Sequence, residues 1–154
     1  MKSIIFVCLG NICRSPIAEG CAKKLVKEKD LDMDISSAGT GSWHIGENPC
    51  SNSIKVCKLH GIDISSYKAS QFKKNDIFKY DLVVALDSSN YNDLKRLGVK
   101  NLVKLGDYGY NSEDIPDPYF FNGFDGFEKV FEMIELCVKN MLKSTNLNNK
   151  LEFR

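Results

Sequence analysis

The chain has almost no net charge: 21 Lys and Arg stand against 20 Asp and Glu, for a formal charge of +1. That balance excludes a general pull toward nucleic acid or a membrane surface, so any anion must be held by a local site. No apolar run approaches the length needed to cross a bilayer, and MKSIIFVCLG is too short and too soon interrupted to read as a secretory signal. Linkers, internal repeats and low-complexity stretches are missing, and no GxxxxGK[ST] occurs, which excludes a Walker-type nucleotide loop. The six cysteines contain no CxxC pair, and 154 residues can bury a core without crosslinks. A reducing cytoplasm is the expected compartment. Arginine is scarce, at positions 14, 96 and 154 only, and Trp43 is the sole tryptophan.

What is present is an alternation of strand and helix patterns. Ser3 to Val7 is a short apolar run suited to a strand covered on both faces. Ser15 is a candidate cap for the next helix, with Pro16 in its first turn and Ala18, Cys21 or Ala22, and Leu25 at helical spacing. A strand is predicted at Met33 to Ser37, a helix from Pro49 to His60 stopped by Gly61, and a buried strand at Asp81 to Leu86. DSSNYNDLKRLG reads as a helix closed by Gly98, and NLVKL as a short fourth strand. A long helix opens at Asp125, with Glu128 in capping-box spacing and Phe127, Phe131, Ile134, Val138 and Met141 or Leu142 as its apolar stripe. The expected fold class is α/β: a single domain with a four-stranded parallel sheet and helices on both faces, a flavodoxin-like three-layer sandwich. Ligands of such sheets bind outside the carboxyl ends of the strands, the edge that holds Cys8, the SAGTGSW loop and the DPY loop.

The loop from Cys8 to Ser15 has the chemistry of an anion site. Backbone N–H groups from Leu9 through Gly10, Asn11, Ile12 and Cys13 to Arg14 can curl into a nest, and the following helix adds the positive end of its dipole. Gly10 permits close approach, and Asn11 tolerates a left-handed backbone. Arg14 offers a planar fork matched to two phosphoryl oxygens. The donors that hold an oxyanion also stabilise a thiolate, so Cys8 is the candidate nucleophile, and Ser15 can donate its hydroxyl to the sulfur. Cys13 lies in the same loop, where a reversible Cys8–Cys13 disulfide would protect Cys8 from over-oxidation.

VCLGNICRSPIAE resembles the signature of the low-molecular-weight protein tyrosine phosphatases. The likeness extends through SAG (Ser37 to Gly39), Trp43, HGI (His60 to Ile62), YDLVVALDSSN and DPY, nearly the whole chain. The resemblance implies one phosphatase domain over residues 1–145, and polar composition makes the stretch 146–154 a frayed tail. It also implies hydrolysis of phosphotyrosine in a protein substrate through a phosphocysteine intermediate, without a metal or other cofactor. On residue types alone Asp117 is equally a turn residue or a general acid; the resemblance, in which the DPY aspartate is the acid, assigns it that role. Asp114 is the nearest competitor. Trp43 and Tyr119 are candidate walls of a slot for a phenyl ring, as aromatics at these places are in the family.

Departures from the family pattern set further expectations. Tyr67 stands where the family usually has a histidine that fixes the loop asparagine, so its hydroxyl is the candidate replacement. Phe120 replaces a common second tyrosine after DPY. His60 reads as a helix-end cap, His44 as a rim residue, and Cys50 and Cys57, spaced i, i+7, as one face of a helix. Related arginine phosphatases resemble this family but carry threonine at the place of Ile12, which favours aryl substrates here. Thioredoxin-linked arsenate reductases share the fold but need two thiols after the third strand, where this chain has Asp87 to Asn90. A non-catalytic phosphopeptide or oxyanion binder is the remaining alternative.

Overall fold

The sheet is built around one strand that has no face left for water. In the computed structural model, which describes residues 2–121 and 123–152 (side chains through residue 144, apart from that of Phe120), β1 (Lys2–Cys8) pairs in parallel with β2 (Met33–Gly39) and β3 (Leu82–Ala85). β4 (Leu102–Lys104) completes the order β2-β1-β3-β4. The period-2 geometry of β1 divides its apolar run between two layers. Ile4, Phe6 and Cys8 join the core beneath α1 (Arg14–Glu28), α2 (Ser51–Leu59) and α4 (Asp125–Glu152), whereas Ile5 and Val7 pack toward α3 (Ser88–Leu97). Phe6 is wholly buried, a contribution of roughly 1.5–3 kcal/mol for its side chain. The expected α/β sandwich is thus observed.

Helix ends follow local chemistry. Asp87 caps α3 by accepting from Asn90 N at 2.8 Å, and Gly98 closes it in the left-handed region, φ 111°. The stripe of α4 is buried from Phe127 to Leu142, and its helical backbone continues to Glu152, through most of the stretch read as a frayed tail. Side chains of that stretch, and residues 153 and 154, lie outside the described residues. Glu128 faces His60 Nε2 at 3.4 Å, and His60 stacks on Phe131 at the end of α2.

Three sequence expectations are corrected. Ser15 is not the cap of α1: Cys13 holds that position, and the Ser15 hydroxyl turns inward to the Cys8 sulfur. β2 extends past Ser37 to Gly39, since Ala38 and Gly39 pair with Val7 and Cys8. α2 begins at Ser51 rather than Pro49, because Cys50 keeps an extended backbone and donates its N–H to Ile12 O at 2.7 Å. Among the described residues no helix is long and apolar enough to cross a membrane.

Candidate active site

The chain leaves β1 for β2 on one side and reaches β3 on the other, so a crevice opens at the carboxyl ends of β1 and β3. Cys8 is the last residue of β1, and α1 starts at Arg14. The loop between them wraps the thiol. Asn11 N donates to Cys8 Sγ at 3.3 Å, and Ser15 Oγ lies 2.9 Å from it. Gly39 packs against the loop so closely that a Cβ there would sit 2.7 Å from Leu9 O.

Asn11 holds the loop in shape. Its φ is 58°, the left-handed conformation expected of it. Its Nδ2 donates to Ser15 Oγ at 2.8 Å and Ser37 Oγ at 2.9 Å, while its Oδ1 accepts from Ser70 N at 2.9 Å. Ser37 Oγ in turn donates to Glu19 Oε1 at 2.5 Å. Tyr67 is therefore not the group that holds Asn11: the backbone amide of Ser70 is. The Tyr67 ring instead packs on the core beneath Lys23 Nζ, and burial pushes its hydroxyl well above the ordinary tyrosine value.

Arg14 is aimed by residues that the sequence did not single out as its partners. Its Nη1 donates to Asp87 Oδ2 at 2.7 Å and to Ile115 O at 2.8 Å. Both side chains of the ion pair are largely buried. The Nε and Nη2 edge has no partner among the described residues, and Arg14 lines the cleft. The signal for Asp87 was its place: it follows the buried run of β3 at the same sheet edge as Cys8.

The cleft above the thiol has a volume of about 210 Å³. Cys8, Leu9, Gly10, Ile12, Cys13 and Arg14 form its floor and one side; Trp43, His44, Asp117 and Tyr119 form the rest. The buried Asn11 and Ser15 side chains do not line the cleft. Trp43 and Tyr119 stand largely exposed, at 71% and 62%, so neither is a core residue. Tyr119 meets Phe127 edge-on at 5.3 Å, and Trp43 lies across Gly41, where a Cβ would come within 1.9 Å of Cζ3 of its ring. His44, expected at the rim, lies there with Nδ1 2.8 Å from Glu47 Oε2.

Asp117 Oδ1 accepts from Tyr119 N at 3.0 Å, which orients the carboxyl at the cleft wall. Asp114 points elsewhere: its Oδ1 accepts from Ser88 N and Oγ and from Lys104 Nζ. Partial burial pushes the Asp114 carboxyl up, but those hydrogen bonds outweigh it and leave the group below its ordinary value. No cluster of three or more His, Cys, Asp or Glu side chains among the described residues is placed to hold a metal ion.

The cysteines differ from expectation. Cys13 is joined to Cys50 in a disulfide, with Cα atoms 5.5 Å apart, while Cys8 remains a thiol. Cys50 thus does not share a helix face with Cys57, which is buried in the core.

Similarity to known proteins follows this geometry. The family model of the low molecular weight phosphotyrosine protein phosphatases matches residues 3–152. The chain is 35% identical over 153 residues to the low molecular weight protein-tyrosine-phosphatase PtpA of Staphylococcus aureus, covering 96% of this chain and 98% of that one. A protein tyrosine phosphatase from Entamoeba histolytica, solved with Hepes in its active site, superposes with a TM-score of 0.90 at 30% identity, over 97% of this chain and 99% of that one. The Drosophila arginine phosphatase DARP superposes with a TM-score of 0.85 at 32% identity, over 94% and 98%. A loop cradling a thiol, an arginine fork and an aromatic slot thus coincide with a match along almost the entire sequence: the chain belongs to the low molecular weight phosphotyrosine protein phosphatase family.

Proposed function

We propose that this chain hydrolyses phosphotyrosine in proteins through a phosphocysteine formed on Cys8. The observation that carries this reading is that Cys8, Arg14 and Asp117 line one cleft, with two exposed aromatic rings as its walls. The phosphoryl group sits in the nest of amides from Leu9 to Arg14, with two of its oxygens on the Nε and Nη2 edge of Arg14. The substrate ring lies between Trp43 and Tyr119.

The Cys8 thiolate attacks phosphorus, and an S–P bond forms as the P–O bond to the ring breaks. Asp117 gives its proton to the departing phenolate oxygen. Water then attacks the phosphocysteine while the Asp117 carboxylate takes the proton from it. The S–P bond breaks, its electron pair returns to sulfur, and phosphate leaves. Ser15 Oγ, 2.9 Å away, donates to the sulfur each time it carries charge.

Phosphoarginine is the second reading, favoured by the similarity to DARP. Ile12 supports the aryl substrate: it places an apolar side chain in the cleft. Parallel turnover of phosphotyrosine and phosphoarginine peptides tests the choice. Preference for phosphotyrosine, abolished in Cys8→Ser, is the expected result; preference for phosphoarginine would overturn the substrate assignment.

A further inference from the structure

We propose that Cys13 and Cys50 form a redox modification site that removes oxidation from the nucleophile. The inference rests on the reading of Cys8 as the reactive thiol, and it concerns a bond that neither the loop motif nor the cysteine spacing indicated.

Hydrogen bonds, in addition to the disulfide, bring the two cysteines together. Cys50 N donates to Ile12 O at 2.7 Å, and Ser53 Oγ donates to Cys13 O at 3.2 Å, so the start of α2 is fastened to the loop by contacts that do not involve the sulfurs. Each cysteine is the cap residue of a helix, Cys13 of α1 and Cys50 of α2. Both are partly exposed, and Cys13 shares the cleft with Cys8. The other thiols are poor competitors. Burial pushes Cys57 up to about 12 and Cys137 up to about 11, and also raises Cys21 well above the ordinary thiol value, with the help of nearby Cys57 and Glu135.

The sequence of steps starts from the reduced chain and uses hydrogen peroxide as oxidant. The Cys8 thiolate takes one oxygen from the peroxide to become a sulfenic acid, and hydroxide leaves. Cys13 attacks the Cys8 sulfur, forming a Cys8–Cys13 bond and releasing the sulfenic oxygen as water. The Cys50 thiolate then attacks the Cys13 sulfur; the Cys13–Cys50 bond forms and the Cys8 thiolate departs with its electron pair. In sum, two thiols are oxidised to one disulfide and one peroxide becomes two waters. The end state is the one observed here, in which Cys8 keeps its contacts with Asn11 and Ser15 and is free to react. A dithiol reductant resets the pair.

The test treats fully reduced protein with one equivalent of hydrogen peroxide, then maps crosslinks by mass spectrometry without reduction and measures para-nitrophenyl phosphate turnover. The expected product in the wild type is a Cys13–Cys50 peptide, with Cys8 alkylatable and turnover retained. Cys50→Ser should stop at Cys8–Cys13, with turnover lost and recovered on adding dithiothreitol. Cys13→Ser, given three equivalents, should instead carry sulfinic or sulfonic acid on Cys8, with loss that dithiothreitol does not reverse. A wild type that ends as Cys8–Cys13 with Cys50 alkylatable overturns the proposal, as does a Cys50→Ser that keeps turnover like the wild type. The wild-type map needs no variant to fold and no turnover to be read. If reduced protein turns over no aryl phosphate, the phosphatase reading fails while the map still decides this one.

Discussion

Replacing Asn11 separates the two tasks of its residue, bonding and backbone shape. The side chain is 3% exposed and makes three hydrogen bonds, to Ser15, Ser37 and the Ser70 amide. At about 1 kcal/mol net for each bond, Asn11→Gly should cost roughly 3 kcal/mol while keeping φ near 58° without strain. Asn11→Ala loses the same bonds and also places a Cβ in the left-handed region, at about 1–2 kcal/mol. Roughly 0.4–1 kcal/mol of that difference is offset because alanine restricts the unfolded chain more than glycine does. Alanine should therefore be the worse substitution by up to about 1.6 kcal/mol. Urea unfolding followed by far-UV circular dichroism is the suitable assay, since Trp43 is already 71% exposed in the fold and is a poor fluorescent reporter. Turnover should fall in both variants, because Ser15 loses the donor that fixes its hydroxyl toward Cys8. An Asn11→Gly loss under about 1 kcal/mol would refute the hydrogen-bond network as the support of the loop. A glycine variant less stable than the alanine one would refute the backbone part.

Asp117→Ala should lower turnover of phenyl phosphate on the order of 10²–10⁴-fold, the range for losing a general acid. Wild-type rates in that variant would remove Asp117 from the mechanism. Asp114 has a lowered value in the fold, so its contribution to stability is present above its ordinary value of 3.8 and disappears as pH falls through the lowered one. Asp114→Asn should accordingly flatten the urea midpoint against pH below 3.8 and leave turnover unchanged; an unaltered acid limb would contradict this. Gly41→Ala would put a Cβ 1.9 Å from the Trp43 ring and displace that wall, raising KM for aryl phosphates more than for an alkyl phosphate. Equal changes for both substrates would show that Trp43 does not hold the ring.

The parts that local chemistry dictates were the parts legible in the sequence. β1 announced itself because a central parallel strand must be apolar on both faces, and the Cys8 loop because Gly10, Asn11 and Arg14 each satisfy a distinct geometric need between a strand and a helix. Gly98 was readable as a helix stop for the same reason. Asp87, Ser37 and Ser70 were not legible as partners of Arg14 and Asn11, since each arrives from a different strand end or loop and only the sheet register brings them together. Ser15 was misread as a cap because a serine beside Pro16 suits that role locally, whereas the buried thiol competes for its hydroxyl. The Cys13–Cys50 bond spans 37 residues and depends on how the start of α2 docks on the loop, which no spacing rule conveys.

The most direct test of the central idea is to look for the covalent intermediate. Acid quenching during turnover of para-nitrophenyl phosphate, followed by mass spectrometry of the protein, should reveal one added phosphoryl group, localised to the peptide containing Cys8 and missing in Cys8→Ser. Turnover without any such adduct at Cys8, or a phosphoryl group on a different side chain, would contradict the account.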